Sequence, residues 1–120
     1  MNEQEFVQRY LAEERDFSGI DFTDIRLDAY NTDLLNIIPA VSLNEEDSNP
    51  RIILKNLNLA DANFENAEII KINFENCNFY QAQLQNLLLS EVNFHNCNLE
   101  KANIEFYSLY KTSFENSSLI

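Results

Sequence analysis

The feature that most constrains this chain is a period of five. From Leu54 a large apolar residue recurs at every fifth position, fourteen times without a miss: Leu54, Leu59, Phe64, Ile69, Phe74, Phe79, Leu84, Leu89, Phe94, Leu99, Ile104, Leu109, Phe114 and Leu119. Two residues ahead of each stands a second, usually smaller side chain, as at Ala62, Ala67, Cys77, Ala82, Cys97 and Ala102. Between the two lies a polar residue, most often asparagine, as at Asn58, Asn63, Asn73, Asn78, Asn93 and Asn98. An amphipathic helix repeats at three and four, and a half-buried strand at two, so a beat of five is neither. A five-residue unit cannot bury an apolar face alone, but stacked units can. The chain must therefore turn once per unit and pack each unit on an equivalent one.

A longer period shows which units stack. Residues twenty apart match best: Asn56, Asn76, Asn96 and Asn116; Phe74, Phe94 and Phe114; Ala62, Ala82 and Ala102; Cys77 and Cys97. Four units then make one turn of a square coil. Adjacent turns should be spaced like neighbouring β-strands, about 4.8 Å. Phenylalanine columns fill the centre, and small residues sit where the walls crowd.

Units such as Ala62-Asn63-Phe64-Glu65-Asn66, Cys77-Asn78-Phe79-Tyr80-Gln81 and Ala102-Asn103-Ile104-Glu105-Phe106 resemble those of the pentapeptide-repeat family. The resemblance covers residues 52–119 and extends to 15–27. It implies an all-β solenoid, a right-handed quadrilateral β-helix. It implies no single activity, because function in that family varies widely. Only repeat positions match, so the resemblance transfers no functional residue.

The chain has 120 residues and reads as one domain, 1–120. It contains one glycine, Gly19. Corners built from asparagine and aspartate explain the shortage, since their side chains bond local backbone and tolerate turn geometry. No apolar run approaches a membrane span. No basic start precedes an apolar segment, and two cysteines without export suit a reducing compartment, so a cytoplasmic location is expected.

In chain order, residues 3–14 read as a helix with Phe6, Val7, Tyr10 and Leu11 at helical spacing. Such a helix either caps the coil end or binds a partner. Residues 15–29 form a first, partial turn around Phe17, Phe22 and Leu27. If these occupy three sides, Leu54 fits the fourth. Residues 30–50 form an inserted loop with an apolar half (Leu34, Leu35, Ile37, Ile38, Val41) and an acidic end (Glu45, Glu46, Asp47). A loop of this length is functional or disordered. Its apolar half either packs outside the coil or awaits a partner, and those five residues are the candidate partner-binding loop. The main coil, 51–120, makes about three and a half turns at twenty residues each.

Outer columns alternate in charge: Lys71, Glu91 and Lys111; Lys55, Glu75, His95 and Glu115. Charge compensation between turns is the expected role, worth a few tenths of a kcal/mol per surface pair. Asn56, Asn76, Asn96 and Asn116 are expected to form an amide ladder. The last turn departs from the rules. Tyr107 takes a small-residue position, while Phe106 and Tyr110 fall where side chains point outward. Either this end is an interface, joining two copies through Phe106, Tyr107, Tyr110 and Ile120, or the rings fold over it.

Catalytic, cofactor and metal sites are not expected. Cys77 and Cys97 stack one turn apart with parallel side chains, which suits buried inert thiols better than a disulfide. His95 between Glu75 and Glu115 lies on a flat wall, where side chains do not converge on a metal. There is no nucleophile elbow, phosphate-binding glycine loop or paired-cysteine motif, and no basic stripe for direct nucleic-acid binding. The expected function is a non-enzymatic scaffold or regulatory module that binds another protein. The alternative, which the resemblance supplies, is a DNA-mimicking modulator of DNA gyrase of the quinolone-resistance type. The net charge of −12 favours mimicry. Its distribution does not: residues 1–50 hold 12 acids and 3 bases (−9), residues 51–120 only 8 acids and 5 bases (−3).

Overall fold

Each corner of the coil begins as a local bond. Asn58 Oδ1 accepts from the Ala60 N–H (3.2 Å), Asn63 from Glu65 (2.9 Å), Asn78 from Tyr80 (3.0 Å) and Asn98 from Glu100 (2.9 Å). These are Asx turns. Just beyond, the backbone is left-handed, at Asp61, Asn66, Gln81 and Lys101, and the turn closes by a bond such as Ala62 N–H to the Leu59 carbonyl (3.1 Å). A positive φ at the third position is the type II pattern, which usually demands glycine. Here asparagine and aspartate take many such sites, including Asp24, Asn56, Asn76, Asn86 and Asn96. That accounts for a chain with one glycine. In the first turn Asp16 and Asp21 do the same work. Each carboxyl is held below its ordinary range, first by a side-chain hydroxyl (Ser18, Thr23) and then by the same residue's N–H.

The computed structural model describes residues 1–30, 40–41 and 51–118. They form helix α1 (Glu3–Leu11) and strands β1 (Arg26–Asp28), β2 (Ala40–Val41), β3 (Arg51–Lys55), β4 (Glu68–Ile70), β5 (Ile72–Glu75), β6 (Gln83–Ser90), β7 (Asn93–His95), β8 (Asn103–Tyr110) and β9 (Ser113–Glu115). One sheet runs β1-β4-β6-β8 and the other β2-β3-β5-β7-β9. Single bridges add two more sides, Asp16–Asn58–Asn78–Asn98–Ser118 and Asp21–Asn63–Gln83. Among the described residues every strand pairing apart from that of β2 is parallel, and in β3–β5, β4–β6 and β5–β7 partners such as Phe74 and Phe94 stand twenty residues apart. The result is a β-solenoid of about three turns with one N-terminal helix.

Like stacks on like inside. Phe74 lies on Phe94 and Phe94 on Phe114, with ring centroids 5.3 and 4.9 Å apart and planes at 18° and 2°. Phe22 lies on Phe64 at 4.8 Å. These spacings match neighbouring strands, because the rings inherit the ladder repeat. The first turn is assembled across the insertion: Asp16, Asp21 and Arg26 pair with Asn58, Asn63 and Glu68, while β3 supplies the fourth side.

Helix α1 closes the N-terminal end. Phe6 and Val7 are buried, and the Phe6 ring meets Phe17 (5.1 Å) and Phe22 (5.9 Å). The helix also serves the exposed strand edge. The N-terminal ammonium donates to the Asp21 carbonyl (2.7 Å), Glu3 Oε1 accepts from the Arg26 N–H (2.8 Å), and the Tyr10 hydroxyl accepts from the Lys55 N–H (3.3 Å). The helix ends at Leu11, not at residue 14. Glu13 turns left-handed (φ 68°), its N–H bonds the Tyr10 carbonyl and the Glu14 N–H bonds that of Arg9, which is a Schellman stop.

Within the insertion, Ala40 and Val41 pair antiparallel with Ile52 and Arg51, so β2 covers the start of the β3 edge. Among the described residues, no helix is long and apolar enough to cross a membrane.

Candidate functional site

The chemistry-bearing side chains sit in columns that serve the coil. The thiols of Cys77 and Cys97 reach the carbonyls of Leu54 (3.7 Å) and Phe74 (3.4 Å), and the Ser117 hydroxyl donates to that of Phe94 (3.0 Å). Each satisfies a corner carbonyl of the preceding turn. Both cysteines are free and buried. The hydrogen bond to Cys97, and then burial, push the Cys77 thiol above its ordinary range.

His95 Nδ1 lies 3.5 Å from Glu115, whereas Glu75 is taken by Lys55 at 3.7 Å. Among the described residues, no three potential metal ligands come together. The asparagine ladders fall elsewhere than expected. Asn56, Asn76 and Asn96 stack through backbone bonds from left-handed corners, Asn56 N–H to the Glu75 carbonyl being 2.9 Å. Side-chain amides instead link Asn78 to Asn58 (3.3 Å), Asn93 to Asn73 (3.0 Å) and Asn86 to Asn66 (2.5 Å). Asn58, Asn73, Asn78 and Asn93 stand at wall and Asx positions, whereas Asn66 and Asn86 are left-handed corners like Asn56 and Asn76, so position in the repeat does not by itself decide which amides meet.

Lys71 is not on an open surface. It is 1% exposed and lies 3.4 Å from Glu91. Beside it Arg51, also buried, donates to Asn73 Oδ1 (3.2 Å) and to the Glu91 carbonyl.

Among the described residues, the C-terminal turn is the most exposed part of the coil. Tyr107 is 75% exposed, Tyr110 55%, Leu109 48% and Phe106 37%. Strands β8 and β9 each end a sheet, so their outer edges have no partner strand among the described residues. The structure rearranges the expected roles. Corners from Asn56 to Asn116 are left-handed at every fifth residue except Phe106. A bulky ring disfavours that conformation. The register slips, so Phe106 lies beneath Leu87 and Ser108 beneath Leu88, leaving Tyr107 extra. Phe106 stays partly exposed at the coil end, with its ring 6.3 Å from that of Phe114. Tyr107, expected at a small-residue position inside, is expelled to the wall, where it lines a groove with Asn66, Ala67, Glu68, Asn86 and Leu88. Of the candidate loop residues, Leu34, Leu35, Ile37 and Ile38 lie outside the described residues, as does Ile120, while Val41 belongs to β2.

The profile of the pentapeptide-repeats family matches eight copies over residues 58–96 and 77–116. No curated protein sequence matches the chain. Among solved structures, a pentapeptide repeat protein (Rfr23) from the cyanobacterium Cyanothece 51142 is similar at 20% identity, over 96% of this chain and 94% of that one, with a TM-score of 0.36. HetL, a pentapeptide repeat protein involved in heterocyst differentiation regulation from the cyanobacterium Nostoc sp. strain PCC 7120, is similar at 18% identity, with a TM-score of 0.31. That match covers 85% of this chain and 46% of the other.

Proposed function

The chain belongs to the pentapeptide-repeat family through its coil, and from that premise we propose that it is a non-enzymatic binding module that docks a protein at the open end of the coil. The occupant we assign to that end is a second copy of this chain. One observation carries the reading: Phe106, Leu109 and Tyr110 are all exposed at an end where, among the described residues, β8 and β9 have unpaired edges. The opposite end cannot serve, because Phe6 and the polar groups of α1 already close it. A like end offers matching edges and matching rings, and an isologous pair uses one surface twice.

The test is the native mass by light scattering across concentration. The expected result is a dimer that dissociates when Phe106 and Tyr110 are both replaced by serine. A monomer at every concentration overturns this reading. DNA mimicry at gyrase needs the longer rod that pairing would make, since the single chain measures 36 × 29 × 23 Å. A supercoiling assay on the paired form would then decide it.

A further inference from the structure

The tyrosine that the bulge expels makes one side of a groove on the coil wall, and we propose that this groove receives an arginine side chain of a partner protein. The inference rests on the binding-module reading but concerns the wall, not the coil end.

The groove holds about 190 Å³, the scale of one long side chain. Its lining divides by chemistry. Tyr107 supplies an aromatic face and Leu88 an apolar floor, suited to a cation over a ring and to an alkyl stem. Glu68 supplies a carboxylate. Arg26 Nε lies 3.4 Å from its Oε2, so the site already takes a guanidinium from within the chain, and Oε1 is left for an incoming donor. Asn86 donates to Asn66 Oδ1, which leaves the Asn86 carbonyl oxygen as a further acceptor. A planar guanidinium matches a ring and a carboxylate together better than an ammonium does. The net charge of −12 favours approach of basic partners to the chain as a whole, while Glu68 is the one carboxylate that the groove itself supplies.

The backbone gives the second argument. A bulge re-aims a side chain, and bulges gather beside functional sites. Here it places a 75% exposed tyrosine against paired amides and a carboxylate.

The experiment titrates the full chain with acetyl-Gly-Arg-Gly-amide, with the norleucine peptide as control, following the Asn66 and Asn86 side-chain amides and the Leu88 methyls by NMR. Saturable shifts with arginine alone are expected. Tyr107→Ala should weaken binding about two- to fivefold without lowering the melting temperature. Glu68→Gln should weaken it by a similar factor. Arg26→Ala should tighten it, by freeing the carboxylate. No shift in the wild type, equal shifts with norleucine, or unchanged binding in both the Tyr107 and Glu68 variants overturns the inference. The solution mass reads the coil end independently. A dimer whose groove ignores the peptide sinks this inference alone, and a monomer that takes it sinks only the end-pairing reading.

Discussion

Phe94 is the middle ring of a three-ring column in the core. It stacks on Phe74 and Phe114 and meets Phe79 edge-on at 5.5 Å. Phe94→Ala should therefore cost about 3–5 kcal/mol, measured by urea unfolding, because neither flanking turn can collapse into the gap. At the corners, Asp16 and Asp21 bind fewer protons folded than unfolded. Their folded values lie below the ordinary 3.8, so the stability they add is complete above that pH and is lost as pH falls through the lowered values. Asp21→Asn keeps an acceptor for Thr23 without the titration, so its melting temperature should fall less on acidification than that of the wild type. The core columns were legible residue by residue, since each ring follows from the beat of five. The fate of Tyr107 was not. Counting places it inside, but the cost of a left-handed phenylalanine one residue earlier moves it out.

At the scale of elements, α1 and the open end are opposite solutions to one problem. A coil ends in apolar rings and unpaired backbone groups, which invite association. Helix α1 answers both, with Phe6 on the rings and Glu3 and Tyr10 on edge N–H groups. Phe6→Ala should destabilise by about 3–5 kcal/mol. By uncovering Phe17 and Phe22 it should also produce oligomers larger than those of the wild type, visible by size-exclusion chromatography. An unchanged melting temperature and elution volume would show that the helix contributes no cap. The helix was visible in the spacing of Phe6, Val7 and Tyr10, but its stop at Leu11 depends on the left-handed Glu13, which no composition signal marks.

For the whole molecule, the governing quantities are the net charge of −12 and the placement of the apolar end. If two copies pair through rings and strand edges, their attraction is not ionic, while their like charges repel. Pairing should therefore persist, or strengthen, as salt rises from low ionic strength to about 1 M, where the screening length falls to roughly 3 Å. Light scattering at the two salt levels checks this, and dissociation in high salt would instead indicate an ionic contact. The burial of Lys71 and Arg51 is also a property of the whole molecule. Spacing alone sets Arg51, Lys71 and Glu91 in one column, twenty residues apart, but does not show that the first two are buried.

The sequence by itself determined the solenoid: five residues per side, four sides per turn, aromatic columns within and asparagine at the corners. It could do so because each unit repeats the same local bonds, so the pattern is written many times over. Only the tertiary structure decided the exceptions. It showed which asparagines join by side chain and which by backbone, how β2 lies along β3, and where Phe106 and Tyr107 go. These features occur once each, and each depends on competition between backbone strain and packing with a neighbouring turn, which a periodic pattern does not encode.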